Sequence, residues 1–477
     1  MKVFTLLFLF LVSFSGIAQE PFLSFEHYLK TSKKVTQLFS AVFPENNTFL
    51  VFVEDKKQLA VYSFDQSGRE ISEGFTLPKF AKEYPNIGGY TYQNDAYTLY
   101  LSTENKEDWA LITLDFKKKS FDLQEVSPEI NQNRILESLT YNGKHYLFTV
   151  KRDTSIVELF VLDSKGSITT QLFSFEDAHF EVGKSTKNLY GLLNGVYAKD
   201  VTTLDNNSPN ALETSKPKNK FYQEDHLIAF TIDVTKNNTY YLQFDLENNT
   251  TDYQAISKKT FEKKILRTES NSFMFDNKLF VLKASSEEMD FSIHNLNATE
   301  KSTSFSAQQG TPIDFKNTPI IQEGGGFKSY RELEKTSKFL RKVSLSDAAI
   351  SVFKENDNYI ITLGGTKEVA KGGPPVYIYG AGLTGAVIGG IMSGIANATY
   401  YQYNAYTYTK SARFQMVLDE SLNFVPDIEV PLNSFDNIKE FTQDTPETVI
   451  QTVFKFSDTF IWGALNAKNN KINFFKF

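Results

Sequence analysis

The sequence predicts an all-β chain built from seven copies of one small antiparallel sheet. Three observations support this fold class. A short polar turn between two apolar or aromatic runs occurs seven times, and a second turn follows the first in six of these repeats. Hydrophobic residues make up 41% of the 477 residues and include 43 Phe and 24 Tyr, which provides the apolar area for a large core.

The first turn of each repeat carries Asn, Asp or Gly at its tip, where a positive φ angle is tolerated. The seven tips are Asn47, Asp95, Gly143, Asp225, Asn277, Asp357 and Asp458. The run from Tyr141 to Val150 is typical, because apolar and β-branched residues flank its Asn-Gly pair. The pattern therefore predicts a β-hairpin at each of the seven positions.

The second turn consists of an apolar residue followed by Asp or Asn. Its six copies are Phe64-Asp65, Leu114-Asp115, Leu162-Asp163, Phe244-Asp245, Leu296-Asn297 and Leu418-Asp419. Two hairpin turns per repeat imply four antiparallel strands, which we name A to D in chain order. The seventh repeat ends after its third strand, at 471–477.

Successive first turns lie 48, 48, 82, 52, 80 and 101 residues apart, and the shorter intervals suit one four-stranded unit. This tandem arrangement resembles the β-propeller superfamily, in which four-stranded blades close into a ring. No Trp-Asp, kelch or Asp-box signature narrows the resemblance to a family. The resemblance implies a seven-bladed β-propeller that spans residues 19–477 as one domain. Two stacked β-sandwiches are the alternative, but they do not explain the repeated pair of turns.

The last repeat lacks a fourth strand, and an apolar stretch precedes the first repeat. Residues Pro21 to Leu29 therefore provide a candidate N-terminal strand that pairs with the C-terminal strand and closes the ring. Closure in this way leaves no open edge between the first and last blades.

Residues 1–18 have the features of a bacterial-type signal peptide. Lys2 supplies a positive charge, an apolar run follows, and small residues precede a cleavage point before Gln19. The sequence thus predicts an exported protein, periplasmic or extracellular, with no spanning helix in the mature chain.

Four connections between strands are unusually long. Three of them lie between blades, at 176–218, 307–345 and 428–446, and 366–409 lies between strands B and C of blade six. Because antiparallel strands alternate in direction, all four should lie at the end of the blades opposite the short turns. Long loops on a rigid scaffold commonly carry function, so we expect the functional face at that end. The alternative is that insertions accumulate neutrally at positions that tolerate them and carry no function.

The insertion at 366–409 within blade six is the most unusual of the four, because 372–409 contains no charged residue. We expect a β arm, with Val376–Tyr379 pairing against part of 400–408, and an apolar tip at 380–398. The candidate binding residues are Tyr377, Tyr379, Leu383, Ile388, Met392, Tyr400, Tyr401 and Tyr403. Three roles remain open: capping the ring, contacting a protein partner, or dipping into a membrane interface.

Composition excludes several kinds of chemistry. The chain has no cysteine, which rules out disulfides, thiolate zinc sites and Cys nucleophiles. Its five histidines, His27, His145, His179, His226 and His294, form no local metal motif, so we expect no metal and no cofactor. A net charge of −7 with scattered Lys and Arg argues against a nucleic-acid partner.

These observations favour an exported, non-catalytic β-propeller that binds a protein or an envelope component through long loops on one face. The alternative is an exported hydrolase or carbohydrate-binding propeller with a site on the axis of the ring. Such a site would gather carboxylates from different blades, which sequence spacing alone does not reveal.

Overall fold

The computed structural model describes residues 20–29, 35–78, 83–194, 201–261, 267–297, 302–324, 330–367, 399–400, 402–403, 405, 410–445, 449–466 and 468–477. The predicted signal peptide at 1–18 lies outside these residues, as does the greater part of the 366–409 insertion.

Seven sheets of four or five strands fill the described part of the chain, which matches the predicted number of repeats. Blades one to three contain β2 (Val35–Phe43), β3 (Thr48–Asp55), β4 (Gln58–Asp65) and β5 (Glu70–Pro78); β6 (Asn86–Gln93), β7 (Ala96–Ser102), β8 (Trp109–Asp115) and β9 (Ser120–Val126); and β10 (Arg134–Tyr141), β11 (Lys144–Val150), β12 (Ile156–Leu162) and β13 (Ile168–Ser174). Each of these sheets runs in chain order and is antiparallel throughout.

Blades four and five contain β16 (Val201–Leu204), β17 (Asn219–Glu224), β18 (Leu227–Ile232), β19 (Asn238–Asp245) and β20 (Thr250–Ser257); and β21 (Thr268–Phe275), β22 (Lys278–Ser285), β23 (Glu288–Asn295) and β24 (Thr303–Gln308). Blade six contains β25 (Ile321–Glu323), β26 (Arg331–Glu332), β27 (Asp347–Glu355), β28 (Asn358–Lys367) and β29 (Lys410–Leu418). Blade seven contains β1 (Glu20–Glu26), β30 (Gln451–Phe456), β31 (Thr459–Asn466) and β32 (Lys471–Lys476).

The connections carry the remaining elements. In the described ranges they include a two-stranded hairpin of β14 (Phe180–Val182) and β15 (Ser185–Lys187), a 3-10 turn (Pro44–Asn46), and the helices α1 (Leu189–Leu193), α2 (Leu212–Ser215), α3 (Thr336–Val343) and α4 (Ser434–Phe441). Within the described ranges, none of the helices has the length and apolar character needed to cross a membrane.

Six of the seven predicted turn tips take positive φ, and in blade seven Ser457 does so instead of Asp458. Both central residues take positive φ at Asn94-Asp95 and Asn142-Gly143, and the same holds at Asp276-Asn277 and Asn356-Asp357. Two successive positive φ values define the hairpin turn whose twist matches the flanking strands. The turn residues therefore fix the A–B hairpins locally.

The Asp side chains of the second turns accept hydrogen bonds from backbone N–H groups. In the turn of blade one, the N–H groups of Ser67 and Arg69 donate to Oδ1 of Asp65 at 2.8 and 3.0 Å. Hydrogen bonds, first that from the Ser67 hydroxyl, lower the pKa of Asp65 to about 2. Asp163 receives the same two bonds in blade three, so these carboxylates stabilise turns.

The predicted closure of the ring is confirmed. β1 pairs antiparallel with β32, from Glu20 opposite Lys476 to Glu26 opposite Lys471, and supplies the fourth strand of blade seven. The ring of Phe25 lies 4.7 Å from that of Tyr62 on blade one and 6.2 Å from that of Phe474 on blade seven. The N-terminal strand thus joins the two ends of the chain.

Blade six corrects the prediction that its fourth strand follows the Leu418-Asp419 turn. After that turn the chain returns only as far as a bridge between Leu418 and Phe424. Pro426 lacks an N–H donor and Asp427 has a φ of 58°, so a strand cannot continue there. The free edge of β29 is instead paired by β25, which comes from the connection before the blade.

Packing between the sheets forms the core. One buried cluster combines residues of blades one and two, including Phe39, Phe52 and Leu99. A second joins blades one and seven through Phe49, whose ring lies 5.2 Å from those of Phe454 and Phe456. Each blade is apolar on both faces, so it needs a neighbour on each side.

The long connections do not all gather at one end of the blades, contrary to expectation. α1 lies where expected, since the N–H of Tyr190 donates to the carbonyl of Thr154 in the B–C turn of blade three. In contrast, β25 follows the outer edge of blade six, and α4 covers a face of blade seven, where the Phe435 and Phe460 rings lie 5.5 Å apart. These segments pair with uncovered strand edges or cover apolar faces of the blades.

Removal of the Phe25 ring tests the closure. We expect Phe25→Ala to lower the free energy of unfolding by about 2 kcal/mol, because the half-buried ring contacts both blade one and blade seven. Deletion of 19–30 should lower the melting temperature further. Urea denaturation measures the first effect, with the exposed Glu26→Ala on the same strand as the control. An unchanged melting temperature after the deletion would contradict the closing role.

Candidate functional site

Most of the predicted binding residues lie outside the part of the chain that the structure describes. These are Tyr377, Tyr379, Leu383, Ile388, Met392 and Tyr401. Tyr400 and Tyr403 are described, and both lie in helical turns. Neither position lies in a β strand. The expected pairing of Val376–Tyr379 with part of 400–408 otherwise falls outside the described residues and stays a prediction. The role of the eight residues in binding stays a prediction.

Tyr403 packs against α4 and blade seven. Its side chain is 3% exposed, its ring lies 5.6 Å from that of Phe435 on α4, and its hydroxyl lies 3.0 Å from the Thr442 hydroxyl. Phe460 and Trp462 of blade seven belong to the same buried cluster, and Tyr400 packs against it. The C-terminal end of the insertion is thus anchored in the core.

The A strands of the blades surround the axis, since neighbouring A strands contact one another at β2 and β6, β6 and β10, β21 and β27, and β2 and β30. One segment, 201–218, which we name the axial segment, lies among these strands. Its first part, β16, pairs in parallel with β17 and extends blade four beyond its own A strand. α2 follows and contacts β27 and β28 of blade six.

Hydrogen bonds tie the axial segment to three further A strands. Lys455 Nζ on β30 donates to the carbonyl of Asn207 at 2.8 Å, and the Ser351 hydroxyl on β27 donates to the carbonyl of Asn210. Asn271 on β21 donates from Nδ2 to the carbonyl of Lys216 at 2.7 Å. β16 also contacts β10 of blade three. A segment that touches blades three to seven occupies the central channel.

This placement was not predicted. Residues 176–218 were expected at the end of the blades opposite the short turns. The sequence around Leu212 gives no signal that distinguishes a channel-filling segment from a surface loop. The insertion at 366–409 also reaches the axial segment, because Gln402 Nε2 donates to Oδ1 of Asn210 at 2.9 Å.

A buried charge cluster lies where the axial segment meets blades four and five. Lys220, Asp233 and Lys258 have fully buried side chains. Lys258 Nζ lies 3.1 Å from Oδ1 of Asp233, and Lys220 Nζ lies 3.6 Å from its Oδ2. Lys220 Nζ also donates to Oδ1 of Asn271 at 2.5 Å, which links the cluster to the axial segment.

Hydroxyl and carbonyl groups form the remaining hydrogen bonds of this cluster. Asp233 accepts from the hydroxyls of Thr239 at 2.6 Å and Ser272 at 2.5 Å. Lys258 donates to the carbonyl of Thr235 at 2.9 Å and to the Ser270 hydroxyl at 3.1 Å. Buried charges need such partners, because each has lost its hydration.

The cluster contains two lysines and one carboxylate, and burial shifts their protonation. Burial by itself raises the pKa of Asp233, but the two ammonium groups and the hydroxyl donors hold that pKa well below its usual range. Burial lowers the pKa of Lys258 and lowers that of Lys220 to about 7. Lys220 therefore gives up its proton more readily than a surface lysine.

A small cavity lies between the axial segment and the face of blade six that is turned toward blade seven. Its volume is about 40 Å³, and polar residues line it, among them Glu213, Ser351, Thr362, Arg413 and Asn433. Oε2 of Glu213 is buried without a hydrogen-bond partner. A polar space of this size holds about three water molecules, which can satisfy that oxygen.

The histidines do not converge on this region. His145 is fully buried against Tyr100 and Trp109, with ring centroids 4.9 and 4.6 Å away, and burial lowers its pKa to about 3. It is therefore a neutral core residue. Across the described ranges, no group of three or more His, Asp or Glu side chains is arranged to hold a metal ion.

No family model matches the chain, and no curated protein matches its sequence. Similar solved structures include the Dos1 propeller, with 10% identity over 96% of this chain and 95% of that chain and a TM-score of 0.32. Another is the Nup133 β-propeller domain of Vanderwaltozyma polyspora, with 11% identity over 57% and 75% and a TM-score of 0.24.

The chain also spans 63% of the length of an ACO/RPE65 chimera, which covers 58% of this chain with 9% identity and a TM-score of 0.29. Similarity at this level concerns the fold alone. The seven sheets and their closure by β1 define the protein as a β-propeller, and no narrower family is identified.

The buried cluster gives a stability test. We expect Asp233→Asn to lower the free energy of unfolding by roughly 3–5 kcal/mol, because it leaves two buried lysines without a counter-charge. Urea denaturation measures the loss, and Asp252→Asn on the exposed face of β20 is the matched control. A loss no larger than that of the control would show that the cluster does not hold the axial segment in place.

Proposed function

We propose that this β-propeller is an exported, non-catalytic binding or scaffold protein that engages a protein or envelope partner. The observation that carries the proposal is the filled channel. The axial segment bonds to A strands of blades five, six and seven in the region where an axial propeller site would open. In this proposal the partner binds to the outer surfaces and the connections of the ring.

The alternative is an exported hydrolase or a carbohydrate-binding propeller with an axial site. One feature favours it, namely the Glu213 carboxylate, which lines the small cavity beside Arg413 and Asn433. The narrow space and the packing of the axial segment around it favour a structural role for this group. The insertion at 366–409, with its uncharged stretch, remains the proposed contact region for the partner.

Envelope binding tests the proposal. The full chain should sediment with an envelope fraction of the producing organism, and a variant lacking 380–398 should bind at least tenfold more weakly. Replacement of the exposed turn 117–119 by two glycines provides a control variant that should bind like the unmodified chain. The proposal fails if hydrolysis of an oligosaccharide is detected and Glu213→Gln abolishes it without loss of the folded state.

Export is tested separately, because binding and targeting reside in different segments. Expression of the full sequence in a bacterial host should yield a periplasmic or secreted product whose N-terminal residue is Gln19. Ala18→Arg places a large charged side chain next to the cleavage point and should leave an uncleaved precursor. N-terminal sequencing and cell fractionation measure both. A cytoplasmic product beginning at Met1 would exclude the export signal.

A further inference from the structure

A basic surface patch lies at one rim of blade six, on the residues around α3. The apolar face of this helix is buried through Phe339, Leu340 and Val343. Its opposite face carries Ser337 and three basic residues, of which Lys338 and Arg341 are exposed, and the helix contains no acidic residue. In a chain of net charge −7, such a one-sided helix is unusual.

Other basic residues extend the patch beyond the helix. Lys367 ends β28 and pairs in register with Lys410, which begins β29. Arg331 lies on β26, just before α3. α3 contacts both β28 and β29, which brings its basic residues beside the strands that carry Lys367 and Lys410. Burial, together with the charges of Arg331, Lys410 and Arg341, lowers the pKa of Lys342. The patch therefore combines residues of four elements.

The patch lacks the carboxylate partners that basic residues have elsewhere in the chain. Lys106 pairs with Glu137 at 3.2 Å, and Lys354 pairs with Glu420 at 2.9 Å. In the part of the chain that the structure describes, no ion pair involves the patch residues, which are Arg331, Lys338, Arg341, Lys342, Lys367 and Lys410. The exposed carboxylates of Glu332 and Glu334 lie between Arg331 and α3, but the six basic residues outnumber them. The resulting excess of positive charge favours an external anionic partner.

Two exposed apolar side chains border the patch. Tyr330, just before β26, is 61% exposed, and Leu345, just after α3, is 51% exposed. Large apolar groups beside basic residues are typical of surfaces that lie on a bilayer, where the apolar groups enter the interface and the cations meet the lipid phosphates. Clusters of about four to eight Lys and Arg residues are typical of surfaces that bind anionic lipid headgroups.

We propose that this rim of blade six docks on the anionic surface of a phospholipid bilayer. Lys338, Arg341 and their basic neighbours contact the headgroup phosphates, while Tyr330 and Leu345 enter the interface. The inference rests on the proposed function, because it specifies the envelope component that the protein binds. An acidic protein is the competing partner.

Vesicle sedimentation with the purified full chain tests this docking. The chain should bind vesicles of phosphatidylcholine mixed with phosphatidylglycerol, and not vesicles of phosphatidylcholine alone. Lys338→Gln with Arg341→Gln should weaken binding roughly 25-fold, since each basic residue near an anionic surface contributes about a fivefold effect. High salt should abolish binding, because it screens exposed charges.

Two matched variants control for charge number and for folding. Lys117→Gln with Lys118→Gln removes two exposed lysines from blade two and should bind like the unmodified chain. Lys338→Arg with Arg341→Lys preserves the charge of the patch and should also bind normally. Equal binding to both kinds of vesicle, or unchanged binding after Lys338→Gln with Arg341→Gln, would overturn the docking site.

The outcomes separate this inference from the proposed function. If the chain ignores both vesicles but still sediments with the envelope fraction through 380–398, the bilayer is not its partner and the broader proposal stands. If an acidic protein from that fraction competes for Lys338 and Arg341 while vesicles do not, the partner is a protein and the docking proposal is wrong. If neither envelope nor vesicles bind, both proposals fail.

Discussion

The constraint on which this structure depends is that a four-stranded sheet with two apolar faces has no stable surface of its own. Every blade must bury both faces against neighbours, and the succession of blades ends only when the last meets the first. β1 satisfies that requirement by pairing with β32 while Phe25 packs against blade one. Once the ring is closed, each blade is held between two neighbours, so no single inter-blade contact opens independently of the others.

The same requirement explains the departures from a regular ring. α4 and Tyr403, which belong to two different connections, cover the face of blade seven. Asn433, just before α4, lines the cavity on blade six. The free edge of β29 is paired by β25, since Pro426 prevents the chain after blade six from doing so. The connections thus contribute to the packing of the ring, because they cover faces and edges that the blades leave exposed.

Filling the channel has an electrostatic consequence. The axial segment excludes water from Lys220, Asp233 and Lys258, so the three charged groups depend on one another and on nearby hydroxyl and carbonyl groups. The same segment fills the centre of the ring and bonds to the A strands of three blades. The unpaired cations around α3 lie on that outside, where solvent or an anionic partner can reach them.

The sequence alone determined the features that depend on neighbouring residues. Pairs such as Asn142-Gly143 and Asn356-Asp357 fix hairpins through their own backbone preferences, and counting these hairpins gave the blades and revealed the strand missing from the last one. The origin of the fourth strand of blade six, the position of 201–218 and the basic rim were decided only by the tertiary structure. Each of these features brings together segments that are far apart in the chain. Their pairing depends on the burial of sheet faces, strand edges and charges, which the local turn sequences do not specify.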